Sequence, residues 1–337
     1  MKPNLGLSDL AASQQSLLRN ANVKTALFLT GQKLATNEKT VSEIASEGNV
    51  GRVFAMDHSL EMVDRYTQTI NAGRVRLDTL QTVLGNVRDI AATVNLGVLS
   101  TVNSGDMNAS MIEARGAIPA LEAVVSMLNT NVAGQSLFSG AATDRAALVD
   151  ASQIQNDIDT IVAAAPDATT ALSNIDFYFF NAAGGFPTTA YVGSTSSASD
   201  IRVGENETIA QNIKADDNAL RETIRNLTVI SAVANGAFPL SVIDQKALLL
   251  DASQKNLSTS DAVIKLREGT GYDQERLEAA SVRNQSERSR LLIARVDIAN
   301  VDPYETASMF QDLQAQVEKM YTVTARLAQL SLTNFLR

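Results

Sequence analysis

Cysteine and tryptophan are absent from the 337 residues, histidine occurs once and proline six times. Without cysteine there is no disulfide, thiolate metal site, iron–sulfur cluster or cysteine nucleophile. A single histidine argues against a histidine-built zinc site and against a Ser-His-Asp hydrolase. Aromatic residues supply only 5% of the chain, so its 45% hydrophobic share rests on Ala, Leu, Val and Ile. That balance leans towards helix packed on helix. With 19% charged residues it is a globular mixture, long enough for two or three domains. The uncharged stretches 90–105, 178–199 and 226–243 are each interrupted by Asn, Ser, Gly or Pro, and none reads as a membrane span. The motifs GxGxxG, Walker-type Gly-rich loop, HExxH and GxSxG are all missing, so no catalytic, cofactor-binding or metal-ligating set is expected.

The net charge is −9. An acidic chain does not suit nucleic acid, for which a clustered basic face supplies most of the affinity. The charge is unevenly placed. Lys2, Arg19, Lys24, Lys33 and Lys39 against Asp9 and Glu38 leave residues 1–40 at +3. Lys319, Arg326 and Arg337 balance Glu305, Asp312 and Glu318, so residues 41–302 carry −12. A solvated body between near-neutral ends is the natural reading. Asp9 sits where a secretory signal would need an apolar run, so no cleavable signal peptide is expected. The polar face of the first helix is Asn- and Gln-rich instead of Lys- and Arg-rich, which favours helix partners over a lipid surface.

Periodicity predicts helix over 7–34, with Ser8 as a candidate N-cap, then 50–99 and 107–132. Fifty helical residues span roughly 75 Å, more than a small domain. The composition then changes. Gly, Pro and Ser cluster between 165 and 207, with Phe177, Tyr178, Phe179, Phe180, Phe186 and Tyr191 among them. Short β pieces are expected at 176–180, 189–192 and 200–203, flanked by helices at 152–164 and 216–234 and closed by Asn235-Gly236. Helix resumes over 240–266, breaks at Glu268-Gly-Thr-Gly271, and runs from 273 to 335 with one puncture at Asp302-Pro303. There Pro303 either opens a new helix capped by Asp302 or kinks a continuous one. The expected fold is mainly α: an elongated long-helix, coiled-coil bundle built from both termini, with a small α/β insert in the middle. The expected domains are 1–40 with 303–337, 41–149 with 239–302, and 150–238.

Other polar features read as structural. His58 is taken as a surface or packing residue, Asp57/Glu61 and Asp216-Asp217 as caps and solvated charges, and the Asn-x-Ser/Thr triplets at Asn206, Asn226, Asn256 and Asn284 as chance.

Asn300-Val-Asp-Pro-Tyr-Glu-Thr-Ala307, Phe310-Gln-Asp-Leu-Gln-Ala-Gln316 and the ending Leu327-Ala-Gln-Leu-Ser-Leu-Thr-Asn-Phe-Leu-Arg337 resemble the C-terminus of the bacterial flagellin superfamily. The segment 273–300 is similar to that superfamily's C-terminal rod, and 7–34 to its N-terminal helix. Gly134-Gln-Ser-Leu-Phe-Ser-Gly140 resembles the turn of its hook–filament junction branch. Ala35-Thr-Asn-Glu-Lys-Thr-Val-Ser-Glu43 departs from the filament flagellin pattern.

The resemblance implies a non-catalytic flagellar component, exported without a cleavable signal and located outside the cell. Its implied partners are flagellin, another hook-associated protein, further copies of itself, the export apparatus and an export chaperone, with no cofactor, membrane or nucleic acid. A flagellin variant forming the filament is the alternative. Read alone, the terminal stripes fit an intramolecular bundle. The resemblance instead makes Leu10, Leu17, Leu18, Leu27, Phe28, Leu34, Met309, Leu313, Val317, Met320, Leu327 and Leu330 the implied subunit-interface residues. An unrelated helical enzyme or binding module, or a secreted coiled-coil protein outside the flagellum, would need the same helices without the flagellar partners.

Overall fold

A computed structural model describes the backbone of residues 5–236 and 241–335, with side chains described from residue 14 to residue 326 outside 237–240. The elements, in order, are α1 (Leu5–Thr36), α2 (Val41–Ser46), α3 (Val50–Ser104), α4 (Met107–Ala114), α5 (Ala117–Leu128), a hairpin of β1 (Asn131–Val132) and β2 (Gln135–Ser136), α6 (Ala151–Ala163) and α7 (Ala168–Phe180). A π-helical turn at Phe186–Ala190 follows, then β3 (Ala198–Arg202), β4 (Thr208–Gln211), α8 (Asn218–Asn235), α9 (Val242–Ala299) and α10 (Pro303–Phe335). The chain is thus mainly helical with a small strand-containing insert. It forms two compact units, residues 65–285 and residues 1–64 with 286–337. These divisions fall within α3 and α9.

In the first of these units α3 and α9 run antiparallel. Their facing sides are laced by polar contacts: Gln81 Nε2 donates to the Arg267 carbonyl (2.6 Å), Gln274 Nε2 to Asp78 Oδ1 (2.6 Å) and Asn256 Nδ2 to the Ala91 carbonyl (2.9 Å). Around them α4 to α8 close one continuous apolar core, from Ile70, Leu84 and Val98 through Leu128 and Phe138 to Ile154, Phe179 and Leu227. Residues 150–238 therefore share their core with α3–α5. At its centre lies α8, buried on nearly every side, which is what a helix apolar around most of its circumference requires. It starts on Asp217, whose side chain accepts from Ala219 N, and ends on Gly236 at φ 67°. The buried Arg225 on α8 is held by Asp176 of α7 (2.9 Å) and Asp251 of α9 (2.6 Å), so the one fully buried guanidinium among the described residues has its counter-charges.

Several sequence expectations are corrected. The aromatic run 176–180 is helix, not strand: Asp167 caps α7 through Thr170 N (2.8 Å), and Ala168, Ala171, Ile175 and Phe179 are buried at helical spacing. Burial on one helical face overrides the β preference of the rings. At 189–192 only Tyr191 makes a bridge, to Leu148, while 200–203 falls largely within β3 as expected. The helix expected over 107–132 is two helices, because Pro119 has no N–H to offer Arg115 and so must lie in the first turn of a new one. The Gly269 and Gly271 break does not occur: α9 passes through, with Thr270 Oγ1 donating to the Leu266 carbonyl (3.0 Å).

The Gly134 to Gly140 segment is a tight structure with local causes. Ala133 and Gly134 both have positive φ (51° and 79°), as a two-residue hairpin turn demands. Leu137 and Phe138 then drop into the core. Gly140, at φ 63°, passes so close to the carbonyl oxygens of Ser194 and Ser196 that any Cβ would collide with them. Replacing the fully buried Phe138 by Ala removes the anchor of this turn. The expected cost is about 3–5 kcal/mol, read as a lower urea midpoint at an unchanged slope.

Candidate functional site

The unit formed by residues 1–64 and 286–337 is poor in core. Among its described apolar side chains only Ile44, Val53, Val63 and Ala299 are buried. Its two terminal helices, α1 and α10, pack antiparallel. Gly31 faces the ring of Phe310, close enough that a Cβ would sit 3.1 Å from Phe310 Cε2, and Lys24 Nζ lies 5.0 Å from the centre of the Tyr321 ring. Thr30 and Thr306 are buried near one end of this contact, each donating to the carbonyl four residues back in its own helix.

The expected interface residues divide into two groups. Leu27, Leu313, Val317 and Met320 are half-buried, while Leu17, Leu18, Phe28, Leu34 and Met309 are exposed, Phe28 at 72%. The side chains of Leu10, Leu327 and Leu330 lie outside the described ones. Phe310 and Gly31, missed by the heptad reading, approach closely across the pair. A glycine inside an otherwise apolar helical pattern is the signal that could have found it. Ser8, expected as an N-cap, falls inside α1, which begins at Leu5.

At the base of the pair both helices stop together. Asn37, at φ 58°, ends α1, and the chain runs as a β-type bridge between Glu38 and Asn300, with Lys39 N donating to the Ala299 carbonyl (2.7 Å) and Val301 N to the Asn37 carbonyl (3.3 Å). Across the bridge Asp302 opens α10 by accepting from Tyr304 N (2.8 Å) and Glu305 N (3.1 Å), so Pro303 begins a new helix instead of kinking an old one. Thr40 and Glu43 form a reciprocal capping box on α2, a signature visible in the sequence as Thr-x-x-Glu. Charges fix the same joint. Lys33 pairs with Glu43 and Lys39 with Glu47, while Arg295 of α9 reaches Glu38 (2.7 Å) and Asp57 (2.6 Å). Asp57, read from the sequence as a cap or solvated charge, is thus the partner of an arginine. His58 is exposed. Asp216 pairs with Arg221, and no group of three or more His, Cys, Asp or Glu side chains able to hold a metal occurs among the described residues. Asn226 and Asn256 are buried. No described helix is long and apolar enough to cross a membrane.

This joint is acid-sensitive in a definite direction. The Glu43 carboxyl is held below its ordinary 4.5 chiefly by the hydrogen bond from Lys33, and Glu47 by that from Lys39. Their support is present above pH 4.5 and is lost as the pH falls through the lower folded values. Protection of the amides over residues 38–47, taken relative to their intrinsic exchange rates, is therefore expected to fall on acidification below pH 4.5 ahead of that in α8. Glu43→Gln should bring part of this loosening to neutral pH, read by the same exchange measurement.

Residues 250–336 match the bacterial flagellin C-terminal helical region. Over about three-quarters of the chain the fold is similar to two solved structures, each at 16% identity. One, described as a flagellar hook-associated protein from Vibrio parahaemolyticus, has a TM-score of 0.52 and aligns over 74% of this chain and 96% of its own. The other, Bacillus cereus FlgL, has a TM-score of 0.51 and aligns over 72% of this chain and 98% of its own. No curated protein sequence matches the chain. The flagellin resemblance read from residues 300–337 is thus matched in the C-terminal helices, and the fold is similar to those of these two proteins.

Proposed function

We propose that the protein is a non-catalytic structural subunit of the bacterial flagellum, an adaptor that joins another hook-associated protein to the flagellin filament. The observation that carries this reading is the α1–α10 pair: a helical pair in a flagellin-like C-terminal context whose apolar side chains are only partly used within one chain. Leu17, Leu18, Phe28, Leu34, Met309, Tyr321 and Val323 remain exposed. Each large apolar side chain contributes roughly 1.5–3 kcal/mol when a neighbour fully covers it. A pair of helices that is marginal in one chain becomes firm in an assembly, because binding stabilises only the ordered form. The twelve stripe residues from Leu10 to Leu34 and Met309 to Leu330 are the proposed contact set. The surface of α1 is polar but weakly charged at Gln14, Gln15, Asn22 and Gln32, which lets copies lie side by side without like-charge repulsion. Export through the flagellum's own channel, with an escorting chaperone, and a location outside the cell belong to the same reading. So does the absence of catalysis.

Deleting residues 313–337 is expected to leave unit 65–285 folded, with far-UV circular dichroism retained, while abolishing filament attachment in cells whose own copy is deleted. Normal attachment by the truncated protein would sink the proposal. Antibody labelling should mark a single point at the hook end of each filament. Labelling along the whole filament would instead establish the flagellin-variant reading.

A further inference from the structure

We propose that the cleft between α3, α9 and β4 is a binding site for a small aliphatic carboxylate. This cavity of about 250 Å³ lies wholly within residues 65–285. Its walls are apolar, from Leu77 and Leu80 of α3, Leu137 of the hairpin loop, Ile213 after β4 and Leu266 of α9. It is lined by the half-buried Arg76 and Arg276 and the exposed Lys265, against one carboxylate, Asp273. In a chain of net charge −9 such a local excess of positive charge runs against the background.

The cations are poorly neutralised. Arg76 Nη2 donates to the Leu137 carbonyl (3.1 Å) and lies 3.5 Å from that of Ser136, and neither Arg76 nor Lys265 forms an ion pair among the described residues. Arg76 Nε is buried with no hydrogen-bond partner. Arg276 reaches Asp273 and Glu207 only at 3.8 and 3.9 Å, beside a stronger bond to the Thr208 carbonyl (3.1 Å). Burial lowers the pKa of Arg76 and raises that of Asp273, so neither charge is well solvated where it stands. A buried donor left unmade costs more than a normal hydrogen bond contributes, so the Arg76 guanidinium stands only partly satisfied beside the cleft.

One residue has no other evident reason for its identity. Gly269 sits inside α9, where glycine weakens a helix, yet a Cβ built there meets nothing within 4 Å. No close approach demands glycine, and its missing side chain keeps the cleft open. The size selects the ligand. The cavity falls just below the usual range of about 300–1,000 Å³ for small-molecule sites. It is too small for a peptide segment, and suits a short alkyl chain against the leucines with its carboxylate on the guanidinium.

The test is a calorimetric titration of the full-length protein with hexanoate, and with hexan-1-ol as the uncharged control. Saturable one-site binding of hexanoate is expected, about tenfold or more tighter than the alcohol and weakened by added salt. Arg76→Met and Gly269→Leu should each weaken it about tenfold or more, with circular dichroism confirming that the variants fold. Should Arg76→Met fail to fold, Lys265→Gln supplies the charge arm. Absence of saturable binding, equal affinity for the alcohol, or unchanged affinity in the folded variants would each overturn the assignment.

Discussion

The unequal supply of buried apolar side chains governs this molecule. Residues 65–285 enclose one large core around α8, and the described part of the rest buries four apolar side chains. Since apolar burial is the dominant favourable term in folding, the first unit can stand on its own contacts. The second holds its form through capping, ion pairs and one aromatic–glycine contact, each of which contributes modestly in an exposed setting. Assembly is the physical remedy available to such a unit, because neighbouring subunits supply the apolar cover that the chain does not.

The same imbalance explains the polar lacing of α3 and α9. A pair of helices longer than any local core cannot be held by burial along its whole length. Gln81, Gln274 and Asn256 bond to specific partners on the opposite helix, and fix register where apolar contact alone would permit sliding. Arg225 has a comparable role between α7, α8 and α9. A fully buried guanidinium is tolerated only where Asp176 and Asp251 stand opposite it, which specifies how those three helices meet.

Much of this architecture is legible in the residues, and what is illegible has definable causes. The 3.6-residue period over 50–99, the Asp302-Pro303 interruption and the Asn235-Gly236 stop act through local chemistry, and the structure has all three, with Pro303 resolved as the start of a new helix. The aromatic cluster at 176–180 misleads because strand propensity reports fit to a half-buried surface, and here that surface is a helix face set by distant partners. Gly269 and Gly271 read as a break because a glycine pair is a local signal, whereas the contacts that carry α9 through them come from α3. The half-buried and exposed members of the terminal stripes share one sequence pattern. Which leucine meets Phe310's side of the pair and which faces outward depends on the crossing of two helices nearly three hundred residues apart in sequence.

The bridge between Glu38 and Asn300 carries a mechanical consequence. α1 and α10 end at the same level, and the two short extended segments beyond them are joined backbone to backbone. A chain interrupted on one side alone would let one helix swing while its partner stayed fixed. Interrupted on both sides and tied across the gap, the segments hold the two helix ends at one fixed separation, so strain applied to either helix is shared by both.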